Sequence, residues 1–259
     1  TSAQLGALTT VQAAALTSVQ VPGLTSAQVA SLTTANLNAM GTDQFMALTS
    51  AQVRSLGTNQ IANLETGDLA ALTSVQVQAL TSSQIRALTS DHIPALTTDQ
   101  VAWMSTAQVR ALSSDQLALI VTAAFQQPAT VQIPALASAQ IASLTTDQFI
   151  NLVSTQLTAL TSSQIAALST DNLIALTSDQ IGLLTTGQIR AITSTQIASI
   201  DSADIAALST VQIRALSSAQ LTGLTSVRVS AMETADLAAM TKAQYRVLSR
   251  EHAEVTQVA

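Results

Sequence analysis

The chain has 259 residues, of which 47% are apolar, 2% aromatic and 9% charged, with a net charge of -6 and no cysteine. That balance excludes a nucleic-acid backbone as partner, which needs a basic face, and the missing cysteines exclude disulfides and thiolate metal sites. The longest apolar run, near residues 117–125, is too short to span a bilayer.

From the first residue the chain repeats every eight. Stepping from Leu8 through Leu16, Leu24, Leu32 and Met40 to Leu248 meets Leu, Ile or Met at 30 of 31 positions, Pro128 being the exception. A second apolar column lies three residues earlier, from Leu5 through Val21, Phe45 and Val53 to Tyr245, interrupted only at Ala13 and Ala253. No insertion breaks the frame. Octad n is therefore residues 8n−7 to 8n, with consensus Thr-(Ser/Thr)-x-Gln-(Ile/Val/Leu)-x-Ala-Leu at positions 1 to 8.

Eight residues are about 2.2 helical turns, so in one continuous helix the apolar stripe would rotate away from any single core. Apolar spacings of three and five do not suit a strand. One short helix per octad fits: Thr at position 1 as N-cap, Gln at position 4 as the reciprocal partner of a capping box, and the flanking Leu and Ile as a hydrophobic staple. Position 2 is Ser or Thr in 30 of 32 octads, which leaves open whether the cap sits at position 1 or 2. Charge polarity agrees with helices. Fourteen of 15 acids occupy positions 1, 3 or 4, and six of eight arginines occupy position 6: Arg54, Arg86, Arg110, Arg190, Arg214 and Arg246. Pro22, Pro94 and Pro134, also at position 6, predict shortened helices.

A lone octad buries too little to offset the ordering of its own residues, so neighbours must share faces. The expected fold is an all-α solenoid or superhelix of short helices, one per repeat, forming a single array over 1–259. The small residues at position 7 predict close approach of adjacent helices. Around 113–136 the chemistry degrades, with Val121, Ala129 and Ala137 in cap positions and Pro128 in a Leu slot; a longer helix and a kink are expected there. Near 241–259 Lys242, Arg250, Glu251, His252 and Glu254 read as a polar C-terminal cap.

Candidate chemistry is sparse. His92 and His252 each occupy a Gln slot and read as substituted glutamines. Asp91 with Asp99, and Asp171 with Asp179, lie one octad apart, and read as capping acids more readily than as a weak Ca²⁺ site. No catalytic, cofactor or metal motif appears, so no catalytic activity, cofactor or metal is expected. Trp103, in a small-residue slot beside Met104, and Met46, Ile150, Ile174 and Leu183 add apolar bulk and form a candidate contact patch.

The string L-T-x-x-Q-V-x-(A/S)-L, as at Leu48–Leu56 and Leu72–Leu80, resembles the opening of a transcription-activator-like effector repeat over one short helix. The base-reading loop and basic residues of that family are absent. Over the whole chain the repeat resembles the L-T-(T/S)-x-Q tracts of large bacterial surface or exported proteins, often labelled adhesin-like or haem-utilisation-like, although no haem-ligation pattern is present. The resemblance implies a non-catalytic spacer or stalk, extracellular or at the cell surface, with neighbouring domains in a longer chain. A protein- or glycan-binding solenoid is the alternative, and an ice- or surface-binding Thr/Ser array the third.

Overall fold

The computed structural model describes residues 1–120, 124 and 132–251. Among these residues it is all helical, with no strand. Helices of four to six residues recur in the octad frame, as in Ser26–Ala30, Ser50–Ser55, Ser74–Ala79, Ser162–Ala166 and Thr186–Ala191.

Two extended residues make each corner. In octad 7, Thr49 has φ −73° and ψ 159°, the helix runs from Ser50 to Ser55, and Leu56 leaves at φ −60° and ψ 132°. No described residue has positive φ, so the corners need neither Gly nor Asn. Position 1, not position 2, is the cap. Thr49 Oγ1 accepts from the Gln52 amide at 3.3 Å while Thr49 N–H donates to Gln52 Oε1 at 2.8 Å. These reciprocal bonds satisfy helix-start groups that would otherwise lack intrahelical partners. At Gly41, Gly57, Ala137 and Val153 only the Gln half of the pair remains.

The proline octads are shortened, since proline lacks the N–H a helix needs. Val21–Gly23 is a single 3₁₀ turn, His92–Ala95 is four residues long, and residues 132–135 form turns only.

The chain divides into two compact units, Thr1–Leu136 and Ala137–Ala259. In each, a helix packs on the helix three octads away. In the first unit Ser26–Ala30 lies against Ser50–Ser55, and that against Ser74–Ala79. In the second, Ser162–Ala166, Thr186–Ala191, Thr210–Ala215 and Thr234–Ala239 stack in succession. Positions 5 and 8 fill the core in both, for example Val53, Leu56, Ile85 and Leu88, then Ile165, Leu168, Ile189 and Ile192. Position 7 faces backbone. Ser55 Oγ donates to the Ser26 carbonyl, three octads earlier, at 2.9 Å. A Cβ added to Gly223 would lie 2.8 Å from the Ser194 carbonyl oxygen. Small residues at position 7 are what this approach allows.

One expectation changes. The longer helix expected after Ser113 does not form over the described part of that segment. Ser114–Leu119 is an ordinary six-residue helix, ended by extended Ile120 at ψ 126°, because Ile120 holds the position-8 corner. Val121, Pro128 and Ala129 lie outside the described residues, as do His252 and Glu254. Among the described residues the longest helix is Lys242–Glu251, ten residues that run straight through an octad corner. There the regular Thr/Ser-Gln pair gives way to Ser249 and His252.

Candidate functional site

The buried polar feature repeated through both units is the position-4 glutamine column. Gln52, Gln76, Gln84, Gln100, Gln108, Gln156, Gln164, Gln188, Gln212 and Gln220 are each at most 3% exposed. A buried primary amide is costly unless every group on it is bonded, and here both ends are engaged. Oε1 accepts from the N-cap of its own octad, and Nε2 donates to the carbonyls that end the helix four octads earlier. Gln84 shows the full set: Thr81 N–H to Oε1 at 2.7 Å, then Nε2 to the Val53 and Leu56 carbonyls, both at 2.8 Å. Gln220 does the same in the second unit, to Ile189 at 2.6 Å and Ile192 at 2.7 Å.

One side chain thus caps the start of its own helix and the end of another. Each octad is tied by packing to the octad three away and by amide bonds to the octad four away, so a turn of the stack takes between three and four octads. The helix-end bond needs an octad four places earlier. Gln4, Gln12 and Gln20 are exposed, whereas Asn36, in the fifth octad, donates to the Leu8 carbonyl at 3.0 Å.

Substituted members obey the same geometry. His92 accepts from Thr89 N–H through Nδ1 at 3.1 Å and contacts the Leu64 carbonyl through Nε2 at 2.8 Å, which assigns the proton to Nε2. It fills a glutamine's place atom for atom. Arg228 Nε donates to the Ile200 carbonyl. Asp68, Asp204 and Asp236 are buried and, when ionised, have no proton to offer a helix-end carbonyl. Burial, reinforced by Glu65, pushes the Asp68 carboxyl up to about 6. Burial also raises Asp204, opposed by the hydrogen bond from Ser178 and reinforced by Asp201. Asp236 is raised by burial, opposed by the Glu233 backbone amide and reinforced by the Glu233 charge.

The candidate contact residues do not gather. Met104 leaves the set: it is 3% exposed because it holds a position-8 core slot. Trp103 is half-buried beside it. Met46, Ile174 and Leu183 are exposed at 52%, 47% and 44%, with Met46 in the first unit and the other two in the second. Only Ile150 and Ile174 are placed together, at the same position of helices Thr146–Ile150 and Thr170–Ile174, which pack on one another. The pairs Asp91–Asp99 and Asp171–Asp179 sit on consecutive octads, whereas helices pack three octads apart. Among the described residues no three His, Asp or Glu side chains group closely enough to hold a metal ion. No helix among them is long and apolar enough to cross a membrane.

An all-helical array in which a corner, a cap and a bridging glutamine recur every eight residues defines a helical repeat protein. Its repeat matches a known one. Residues 1–34, 21–58, 61–98, 150–186 and 197–227 match the ALTTAQ repeat. These stretches cover more than half of the chain, which therefore belongs to the ALTTAQ repeat family. Ala47–Gln52 reads ALTSAQ and Ala95–Gln100 reads ALTTDQ. In this chain those six letters are the corner itself: the small packing residue, the buried Leu, the cap, the first helical residue, an outward residue and the bridging Gln. No curated protein matches the chain.

Proposed function

We propose that this chain is a non-catalytic structural spacer within a larger exported or cell-surface protein of a bacterium, and that its octads form one array. The observation supporting this is the locality of every repeated bond. Core contacts reach three octads and glutamine bonds reach four, so length can be added or removed in whole octads without a unique long-range core. The chemistry at buried positions goes into holding octads together. The likeness of the repeat to L-T-(T/S)-x-Q tracts and the absence of cysteine support the exported setting.

The test has two arms. Surface proteolysis and fractionation of intact bacteria carrying the natural full-length gene product place it outside or inside the cell; purely cytoplasmic protein overturns the exported setting. Replacing the array by an unrelated helical repeat of equal contour length should preserve the activity of the flanking domains. Loss of that activity with a folded replacement overturns the spacer role in favour of a binding array.

A further inference from the structure

In the second unit three exposed arginines occupy position 6: Arg190, Arg214 and Arg246, in octads 24, 27 and 31. Helices Thr186–Ala191 and Thr210–Ala215 pack on one another, so Arg190 and Arg214 stand at the same position of neighbouring helices. Both line one shallow groove of about 310 Å³, together with Thr186, Val211 and Thr241. A second groove, of about 370 Å³, is lined by Lys242, Arg246 and the half-buried Tyr245. Thr241 and Lys242 are consecutive, so the two grooves adjoin where Lys242–Glu251 begins.

All four cations are exposed, and among the described residues none makes an ion pair. No acid lines either groove, and octads 24, 27 and 31 contain none. A helix end favours a positive charge of any kind. Yet all six position-6 cations of the chain are arginine, the side chain whose planar fork binds a carboxylate through two parallel hydrogen bonds. Beside these cations lie groups of two other kinds: the Thr186 hydroxyl, and the apolar surfaces of Tyr245 and of Val211, which is 63% exposed.

We infer that the two adjoining grooves bind an acidic polysaccharide, one that carries a carboxylate on every second sugar. Packed helices lie about 8–10 Å apart, which sets the step between Arg190 and Arg214. Two linked sugar rings span about the same distance, so successive carboxylates meet successive cations. The intervening ring lays its C–H face on Val211 or Tyr245, and its hydroxyls reach Thr186. Other linear anions fit less well. A nucleic-acid strand carries a phosphate about every 3.4 Å, and an extended acidic peptide turns a side chain to one face about every 7 Å; both fall out of step with the cations. The inference is independent of the spacer reading: a chain that binds no glycan leaves that reading intact and overturns this one.

The experiment is isothermal titration calorimetry of the full chain with a hyaluronan hexasaccharide, in which carboxylate-bearing and neutral sugars alternate. Uncharged N-acetylchitohexaose and short polyglutamate are titrated beside it. Binding is expected for the hyaluronan fragment and not for the uncharged glycan. Arg190→Gln with Arg214→Gln should weaken that binding by about tenfold or more, the cost of losing charge-assisted hydrogen bonds, while circular dichroism shows the variant still helical. Arg54→Gln with Arg86→Gln removes the same charge from the first unit and should leave the affinity within about twofold, because exposed charges far from the ligand are screened. A parent that binds no hyaluronan fragment overturns the proposal. An equal loss in both double variants also overturns it, since attraction to charge in general would then account for the binding. Tighter binding of polyglutamate than of the hyaluronan fragment overturns it in favour of an acidic peptide.

Discussion

Replacing Gln84 by Leu isolates the bridging bond, because Leu keeps much of the volume and none of the polarity. The change leaves Thr81 N–H without its acceptor and the Val53 and Leu56 carbonyls without their donor, all at a side chain 2% exposed. An unsatisfied buried polar group costs about 1–3 kcal/mol. The Leu56 amide bond to Val53 O, at 3.2 Å, survives, so the carbonyl side is only partly orphaned, and burial of leucine returns about 1–2 kcal/mol. The net loss is about 3 kcal/mol, which urea unfolding of the mutant beside the parent measures. Amide hydrogen exchange is the more discriminating assay. Protection should fall at Thr81 and also around Val53–Leu56, four octads earlier in sequence, with octads in between affected less. Loss of protection confined to octads 10 and 11 would refute the bridging role, and an unfolding midpoint equal to the parent's would refute the energetic argument entirely.

Three further outcomes follow from the same geometry. Thr177→Ala removes the oxygen that accepts from Gln180 N–H at 3.3 Å and should cost about 1 kcal/mol, with Thr177→Ser close to neutral; equal stability of Thr177→Val and the parent would show that the hydroxyl is not a cap. Deleting Thr161–Leu168 should leave a cooperatively unfolding helical protein, whereas deleting four residues shifts caps and core columns out of phase, and circular dichroism should show the larger loss of helix. Asp68→Asn should stabilise at pH 7 by about 1 kcal/mol. The Asp68 carboxyl is raised to about 6 by burial and by Glu65, so the fold favours its protonated form. The penalty for ionisation is thus full above pH 6 and disappears as pH falls toward 4. A stability gap between Asp68→Asn and parent that does not narrow over that range contradicts the assignment.

The helices and both core columns were legible in the sequence because burial at positions 5 and 8 imposes its own period on residue type: Val53 with Leu56, and Ile165 with Leu168, announce themselves. His92 was legible as a glutamine surrogate for the same reason, its place in the frame. The reach of the glutamine was not. Gln28 and Gln52 stand in the same local string, Thr-Ser-Ala-Gln-Val, yet Gln28 is half-buried and Gln52 fully buried, bonded to Val21 and Leu24. What separates them is whether an octad lies four places before, and a uniform repeat carries no mark of its own stacking interval. Met104 shows the opposite failure. Beside the lone tryptophan it looked like surface chemistry, while its place in the Leu column had already assigned it to the core.

The substitutions tolerated at position 4 show why glutamine predominates there. The site asks for an acceptor toward the local cap and a donor toward a helix end, on a stem long enough to span both. Gln meets all three demands, and His92 meets them with its two ring nitrogens. Asn36 and Asn172 keep the donor, reaching Leu8 and Leu144 at 3.0 and 2.9 Å, but their octads lack the reciprocal bond to the N-cap amide, as the shorter stem requires. Arg228 supplies only donors, and Thr225 loses its side-chain cap bond. Asp supplies only acceptors unless protonated, and the three buried aspartates are the groups whose carboxyls are driven upward. Glu, as long as Gln but without its donor, occurs at positions 1, 3 and 6 and never at position 4. Asp68, Asp204 and Asp236 hold the position without a donor, and Asn36, Asn172 and Arg228 hold it without the reciprocal cap, so the column accepts the loss of either half, and Gln predominates because it serves the local cap and the bond between octads at once.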